Sequence, residues 1–231
     1  LKRIILMATD WLTCACATHV IPEGKGVMND LQNHITKKPM KVLGYGNIRG
    51  VDMEKFSRRP EVEELAKEIK KENIFTFIFV GRIVGDKGIN ELALAFTDLK
   101  KKYDNIRLLL VGNFENNLDP LKPETIKTMN DNPCIEVLGP KYGDDLLAYY
   151  AASDCFVFPS YREGFPNTVM EAGAMGLPSI VTDINGSREI IIQDKNGVII
   201  PSKNTEALYQ AMEEMITNTD KTREYADNAR E

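Results

Sequence analysis

Six short apolar segments alternate with stretches of helical character from residue 60 onward. The segments are apolar at nearly every position, so both of their faces must be buried. Buried strands that alternate with helices indicate a parallel sheet covered by helices on both sides. The sequence therefore predicts an α/β fold with a doubly wound, Rossmann-like parallel sheet of about six strands. The predicted strands are FTFIFVGRI, IRLLLVGN, CIEVLG, DCFVFPS, PSIVTD and GVIIP.

The first 60 residues follow a less regular pattern. The segments WLTCACATHV, GVMNDLQNHI and KPMKVLGYGN predict a strand, a helix and a strand, and IRGVDMEKFSRRP predicts a linker. We therefore expect residues 1–45 to be the end of another α/β unit, residues 46–60 to be a linker between domains, and residues 61–231 to form the sheet domain.

The four cysteines are expected to be structural. Cys14 and Cys16 lie two positions apart on a predicted strand, so both should point to the same face as small buried side chains. Cys134 and Cys155 fall in predicted core strands. The C-x-C pair has no His or Cys partner at metal-binding spacing. We therefore expect four reduced cysteines and a cytoplasmic location.

Charge and hydropathy exclude several classes of function. The formal net charge of −5 offers no basic surface for nucleic acid or for an anionic membrane. The longest apolar runs are far shorter than the ~20 residues that span a bilayer. The chain starts without Met or a cleavable small-residue site, so we expect a fragment without a signal peptide. His19 and His34 match no catalytic pattern and are expected to be structural or exposed.

Ligands of open α/β sheets bind beyond the carboxyl ends of the strands, where the strand order reverses. The first loop at that edge, GRIVGDKG, contains Gly81, Arg82 and Lys87. Glycine lets the backbone approach a ligand, and two cations can neutralise a diphosphate. The loop matches neither the Walker motif nor G-x-G-x-x-G. The alternative interpretation is an ordinary strand-to-helix turn with surface charges.

A later loop, REGFPNTVMEAGAMG, places two carboxylates at the same edge. Asn167 is expected to cap a helix over residues 168–175. The amides that follow Gly164 should then face an anion at the helix N-terminus. Glu171 lies one turn inside this helix, where it can meet paired sugar hydroxyls, and Glu163 lies at its rim. The alternative is that both glutamates only favour the helix dipole.

A glycine inside this helix needs an explanation of its own. Gly173 costs up to ~1 kcal/mol relative to alanine in a helix interior. We therefore expect close packing, or a ligand that approaches nearby. Gly176 should end the helix, because glycine readily adopts the left-handed conformation found there.

The segment EGFPNTVME resembles the E-x7-E motif of retaining nucleotide-sugar glycosyltransferases of group 1 (family 4), which have the two-domain GT-B fold. The similarity extends over roughly residues 40–218. It includes GNIRGVDMEKF, which resembles the linker between the two domains of that family, FVGRIVGDKGINELALAF and AMGLPSIVTDINGSREII. The resemblance implies that residues 61–231 are the C-terminal, donor-binding half of a GT-B fold. Residues 1–45 would be a remnant of the N-terminal acceptor domain.

The resemblance also implies roles for individual residues. Arg82 and Lys87 would hold the donor diphosphate, Glu171 would bind the ribose, and Glu163 would contact the donor sugar. Loop 139–142 would border the base. The implied catalytic residues are Glu163, Arg82 and Lys87. The implied donor-binding residues are Gly81, Arg82, Lys87, Gly139, Lys141, Glu163, Gly164, Phe165, Pro166, Asn167, Thr168 and Glu171.

The family resemblance further implies the substrates. The donor would be a nucleotide-diphosphate sugar, with UDP favoured as the commoner base, and no cofactor or metal is expected. The acceptor would be a saccharide or lipid-linked saccharide, bound through the missing N-terminal domain, so the fragment is expected to be inactive alone. The usual C-terminal crossing helix would be cut short near EYADNARE. Only a full enzyme would associate peripherally with a membrane, at its cytoplasmic face. The alternatives are a non-catalytic nucleotide-binding α/β module and a sugar-nucleotide epimerase of the same fold.

Overall fold

A computed structural model describes residues 2–115, 117 and 119–230. Parallel β-strands form a single six-stranded sheet within this part of the chain, which confirms the predicted α/β architecture. All six predicted strands are present. The strands are β1 (Phe75–Val80), β2 (Ile106–Val111), β3 (Ile135–Gly139), β4 (Cys155–Phe158), β5 (Ser179–Thr182) and β6 (Gly197–Ile200).

Helices precede, connect and follow the strands. Three of them, α1 (Lys2–Cys16), α2 (Lys25–His34) and α3 (Pro60–Ile69), lie before the sheet in the chain. A 3-10 turn at Gly85–Lys87 follows β1. The remaining helices are α4 (Ile89–Lys100), α5 (Pro123–Asp131), α6 (Gly143–Ala151), α7 (Asn167–Ala174), α8 (Ser187–Ile190), α9 (Thr205–Thr217) and α10 (Thr219–Asn228).

The strand order β3-β2-β1-β4-β5-β6 places the reversal of winding between β1 and β4. The chain moves outward from β1 to β3, then returns to the other side of β1 with β4. The loops that follow β1 and β4 therefore diverge and leave a crevice at this edge of the sheet. The sequence predicts that Lys87 and Glu163 lie in these two loops.

Aromatic side chains fill the centre of the core beneath this crevice. Phe79 and Phe158 stack with ring centroids 5.8 Å apart, and Phe156 stacks on Phe158 at the same separation. All three side chains are buried. Each buried aromatic ring contributes a large apolar area, so the two strands that carry the candidate site are held rigidly together.

The first part of the chain differs from the prediction. The segment predicted as a strand, WLTCACATHV, belongs mostly to α1, because leucine, methionine and alanine favour a helix. Two positions on a helix point about 200° apart, so Cys14 is buried while Cys16 is exposed. The second predicted strand contributes only an isolated bridge between Val20 and Met40. The predicted helix between them is confirmed as α2.

The burial of the other two cysteines and of the two histidines partly agrees with the sequence expectations. Cys155 is buried in β4, whereas Cys134 precedes β3 and is half-buried. All four cysteines are free. His19 and His34 are both exposed, as expected. Among the described residues, no helix combines the length and the apolar character that crossing a membrane requires.

Candidate active site

A cavity of about 380 Å³ opens at the crevice between the loops after β1 and β4. Its lining contains the three residues predicted to be catalytic, Arg82, Lys87 and Glu163, together with Gly164. The sequence did not single out its other two lining residues, Asp86 and Arg162. The fold thus joins side chains that lie about 80 positions apart in the chain.

Lys87 and Glu163 form an ion pair at the base of this cavity. Their side chains are only 13% and 15% exposed, so Glu163 does not lie at an open rim as the sequence suggested. The hydroxyl of Ser160 donates a second hydrogen bond to the same carboxylate, at 2.7 Å. The Lys87 ammonium also lies 5.5 Å from the centre of the Phe158 ring. Partial burial strengthens each of these interactions relative to a solvated pair.

The loop after β1 reaches Glu163 because Gly88 allows a very close backbone approach. Gly88 has φ of +72°, and a Cβ atom there would lie 2.1 Å from the carbonyl oxygen of Pro159. The amide of Tyr161 donates to the carbonyl oxygen of Asp86 at 2.8 Å. These contacts dock the β1 loop on the β4 loop, and the docking brings Lys87 to its partner.

Arg82 lies at the outer side of the cavity. Its guanidinium donates to Glu115, in the loop after β2, at 2.9 Å. This hydrogen bond raises the pKa of Arg82 above its usual value. The Arg82 side chain remains 46% exposed, so its charge is accessible to a ligand. The sequence analysis did not identify Glu115 as a site residue.

Arg162 adds a third cation to the cavity. Two nitrogens of its guanidinium contact the same Asp86 carboxylate oxygen, at 3.0 and 3.2 Å, and its side chain is 83% exposed. Next to Arg162 and Glu163 a polar recess of about 330 Å³ continues the cleft toward β5. Arg162 immediately precedes the predicted site residue Glu163 in the chain, and this position could have indicated that Arg162 lines the cavity.

Helix α7 begins one residue earlier than predicted. Pro166 is the N-cap and Asn167 is the first helical residue, so Asn167 does not cap the helix with its side chain. Its Oδ1 instead accepts a hydrogen bond from Asn47 Nδ2 at 2.6 Å. The amides of the first turn have no partner within the helix, and Thr168 is half-buried there. Phe165, immediately before the N-cap, is buried.

Glu171 is half-buried on the side of α7 that faces α6. The hydroxyl of the fully buried Tyr150 donates to its carboxylate at 3.4 Å. Burial raises the pKa of Glu171, while Tyr150 and the nearby cations Lys55 and Arg49 oppose that rise. Glu171 does not line the 380 Å³ cavity, so its predicted contact with ribose stays a prediction.

Gly139 is the last residue of the edge strand β3, and Lys141 lies in the loop that follows it. Gly139 has φ of +68°, and the Lys141 ammonium lies 5.4 Å from the centre of the Tyr149 ring. Neither residue is among the described residues that line the cavity. Their predicted place beside the base stays a prediction.

Gly173 is explained by packing within the chain. A Cβ atom on Gly173 would lie 2.8 Å from the carbonyl oxygen of Ala229, at the end of α10. Gly176 has φ of +77° just after α7, as expected for a helix end. Among the described residues, no group of three His, Cys, Asp or Glu side chains is placed to hold a metal ion.

The sheet and its crevice define the C-terminal half of a GT-B fold. Sucrose-phosphate synthase from Thermosynechococcus elongatus has the same arrangement, with a TM-score of 0.83 and 22% identity over 97% of this chain and 55% of that one. An Anabaena protein solved as HepE in complex with UDP-glucose superposes with a TM-score of 0.74 and 21% identity, over 93% of this chain and 58% of that one.

The model of the family "Glycosyl transferases group 1" matches residues 61–231, and the chain belongs to this family. The chain is also 29% identical to the capsular polysaccharide biosynthesis glycosyltransferase CapM of Staphylococcus aureus over 220 residues. That match covers 94% of this chain and 57% of CapM. The chain thus spans little more than half the length of this relative.

Proposed function

We propose that this chain binds a UDP-sugar and is the donor half of a retaining glycosyltransferase. The observation that carries the proposal is the nearly buried pair of Lys87 and Glu163 in a cavity that also contains Arg82. A diphosphate in that cavity would meet two cations, and a sugar attached to it would lie against a carboxylate. A nucleotide sugar has this combination of groups.

In the proposed reaction, bond cleavage leaves negative charge on the departing diphosphate. Lys87 and Arg82 stabilise this charge, as preorganised cations do most effectively in a partly desolvated site. The first-turn amides of α7 add positive potential at the same edge. Glu163 accepts hydrogen bonds from hydroxyls of the donor sugar. These groups take the electrostatic role that a metal fills in other transferases, and the anomeric configuration is retained.

The choice of donor base and of acceptor draws on the relatives. The complex of HepE with UDP-glucose favours a UDP-linked hexose. The name of CapM favours an acceptor from polysaccharide assembly, free or lipid-linked. The acceptor would bind outside this chain, so the chain should bind donor but transfer no sugar by itself.

The proposal is tested by calorimetric titration of the chain with UDP, GDP and NAD. We expect UDP to bind more tightly than GDP, and NAD to show no saturable binding. Competition by UDP-glucose and UDP-N-acetylglucosamine would then identify the sugar. Tight binding of NAD, or no binding of any nucleoside diphosphate, would refute the proposal.

Replacement of Glu171 by glutamine should weaken UDP binding by about 10-fold. The change preserves the shape of the side chain, but removes charge-assisted hydrogen bonds to ribose that are worth ~1.5–3 kcal/mol. Titration with UDP measures the loss. Glu206→Gln, in the exposed first turn of α9, is the matched control and should leave affinity unchanged. Equal affinity of wild type and Glu171→Gln would remove Glu171 from the ribose site.

The same variant should become relatively more stable as the pH rises. Burial raises the pKa of Glu171 above its unfolded value of about 4.3, so ionisation in the folded state costs free energy. This cost is absent below the unfolded pKa and grows as the pH rises through the folded pKa. The free energy of unfolding of the Glu171→Gln variant relative to wild type, measured in urea, should therefore be higher at pH 7 than at pH 4. A constant difference would contradict the assigned burial.

A further inference from the structure

Glu189 joins the N-terminal part of the chain to the sheet domain. The backbone amides of Lys25 and Gly26, in the first turn of α2, donate to its two carboxylate oxygens at 2.6 and 3.0 Å. These residues are separated by more than 160 positions in the chain. The carboxylate thus satisfies orphan amides of α2 and complements the positive end of its dipole.

The first turn of α2 lies very close to the loop before α8. A Cβ atom on Gly26 would lie 2.4 Å from Oδ1 of Asn185, in the loop before α8, the helix that carries Glu189. The Asn185 side-chain amide also donates to Asp30 of α2 at 2.7 Å. The first turn of α2 therefore rests directly on the loop before α8, and any side chain at Gly26 would push the two apart.

Glu23, two residues before Lys25 in the chain, connects this contact to the loop before α7. The carbonyl oxygen of Glu23 accepts from the amide of Asn47 at 2.6 Å. The Asn47 side-chain amide then donates to the carbonyl oxygen of Phe165 at 3.1 Å and to Asn167 Oδ1 at 2.6 Å. Gly164, which lines the cavity, is the next residue before Phe165.

We propose that Glu189 is a positioning residue: by holding the first turn of α2, it fixes the loop 164–167 whose amides face the donor phosphates. The effect on donor binding rests on the proposed function, whereas the effect on the loop does not. Glu189 does not line the 380 Å³ cavity itself, so it acts through the contacts of Glu23, Asn47 and Phe165.

The test compares Glu189→Gln with Glu61→Gln, an exposed first-turn glutamate of α3. Glutamine offers one carbonyl oxygen where the carboxylate offers two acceptors, so one amide of α2 loses its partner. In the unliganded chain we expect hydrogen exchange at Lys25 or at Gly26, whichever amide loses its acceptor, to rise at least 10-fold. Backbone order parameters of residues 164–168 should fall from about 0.85 toward 0.6. The control variant should change neither.

UDP affinity should fall about 5-fold in Glu189→Gln. Asn47→Ala should give a similar loss of UDP affinity. The double variant should bind UDP no more weakly than the single variant with the lower affinity, because both substitutions act through one route. Additive losses would overturn the proposal. So would faster exchange at Lys25 or Gly26 with an unchanged loop 164–168. If wild type bound no UDP, the proposed function would fail, while the unliganded measurements would still decide the role of Glu189.

Discussion

Replacement of Lys87 by alanine should weaken binding of UDP by about 100-fold. The variant loses charge-assisted hydrogen bonds to the diphosphate, each worth ~1.5–3 kcal/mol, and every 1.4 kcal/mol is a factor of ten in affinity. It also leaves the largely buried Glu163 carboxylate without its partner, so that this charge repels the phosphates. Uridine has no phosphate, and its affinity should stay nearly constant. Calorimetric titration with both ligands measures the difference.

Two further variants isolate the cause. Lys101→Ala removes an exposed lysine at the end of α4 and should not affect either ligand. Adding Glu163→Gln to Lys87→Ala removes the unpaired negative charge, so UDP affinity should partly recover. Equal losses for UDP and uridine would show that Lys87 does not contact the diphosphate. No recovery in the double variant would show that the pair is not coupled to phosphate binding.

The largest loss of stability is expected for Gly88→Ala, at about 3 kcal/mol. An alanine at this left-handed φ costs ~1–2 kcal/mol, and its Cβ would lie 2.1 Å from the carbonyl oxygen of Pro159. Backbone must move to relieve that overlap, and the movement separates the loops that hold Lys87 and Glu163. Urea unfolding should therefore show a lower midpoint with an unchanged slope.

Gly143→Ala is the matched control for this change. Gly143 also has positive φ, +57°, but a Cβ atom there would meet nothing within 4 Å. It should therefore cost only ~1–2 kcal/mol, from backbone strain alone. If both variants lost the same stability, the close contact with Pro159 would not constrain the fold.

The sheet was predictable because its strands are apolar on both faces and are separated by helices. This pattern is repeated six times, so errors at single boundaries do not alter the architecture. The N-terminal part has no such repetition. A short window over WLTCACATHV predicts a strand, whereas the structure has a helix over Lys2–Cys16. Two cysteines at i and i+2 share a face on a strand but not on a helix, so the error also misplaced Cys16.

The candidate site was predictable as a set of loops but not as a set of contacts. Strand ends placed Arg82, Lys87 and Glu163 at one edge, and the cavity brings them together. Nothing in the local sequence indicates that Lys87 pairs with Glu163, because that contact depends on how two loops dock at Gly88. The roles of Asn47 and Glu189 depend on contacts across more than 115 positions and could not be inferred from spacing.

The close contact between Gly88 and Pro159 affects which parts of this fold can change in sequence. Backbone contacts join the loops that carry Lys87 and Glu163, so a substitution in one loop disturbs the other. Selection would therefore remove most changes in these two loops. The loop after β3 is separated from that contact by β2 and lies on the edge strand. Changes between Gly139 and Gly143 therefore leave the contact between Gly88 and Pro159 undisturbed. We expect this loop to border the nucleotide base, so selection for a new base should act there first, and laboratory libraries intended to exchange donors are best confined to residues 140–142.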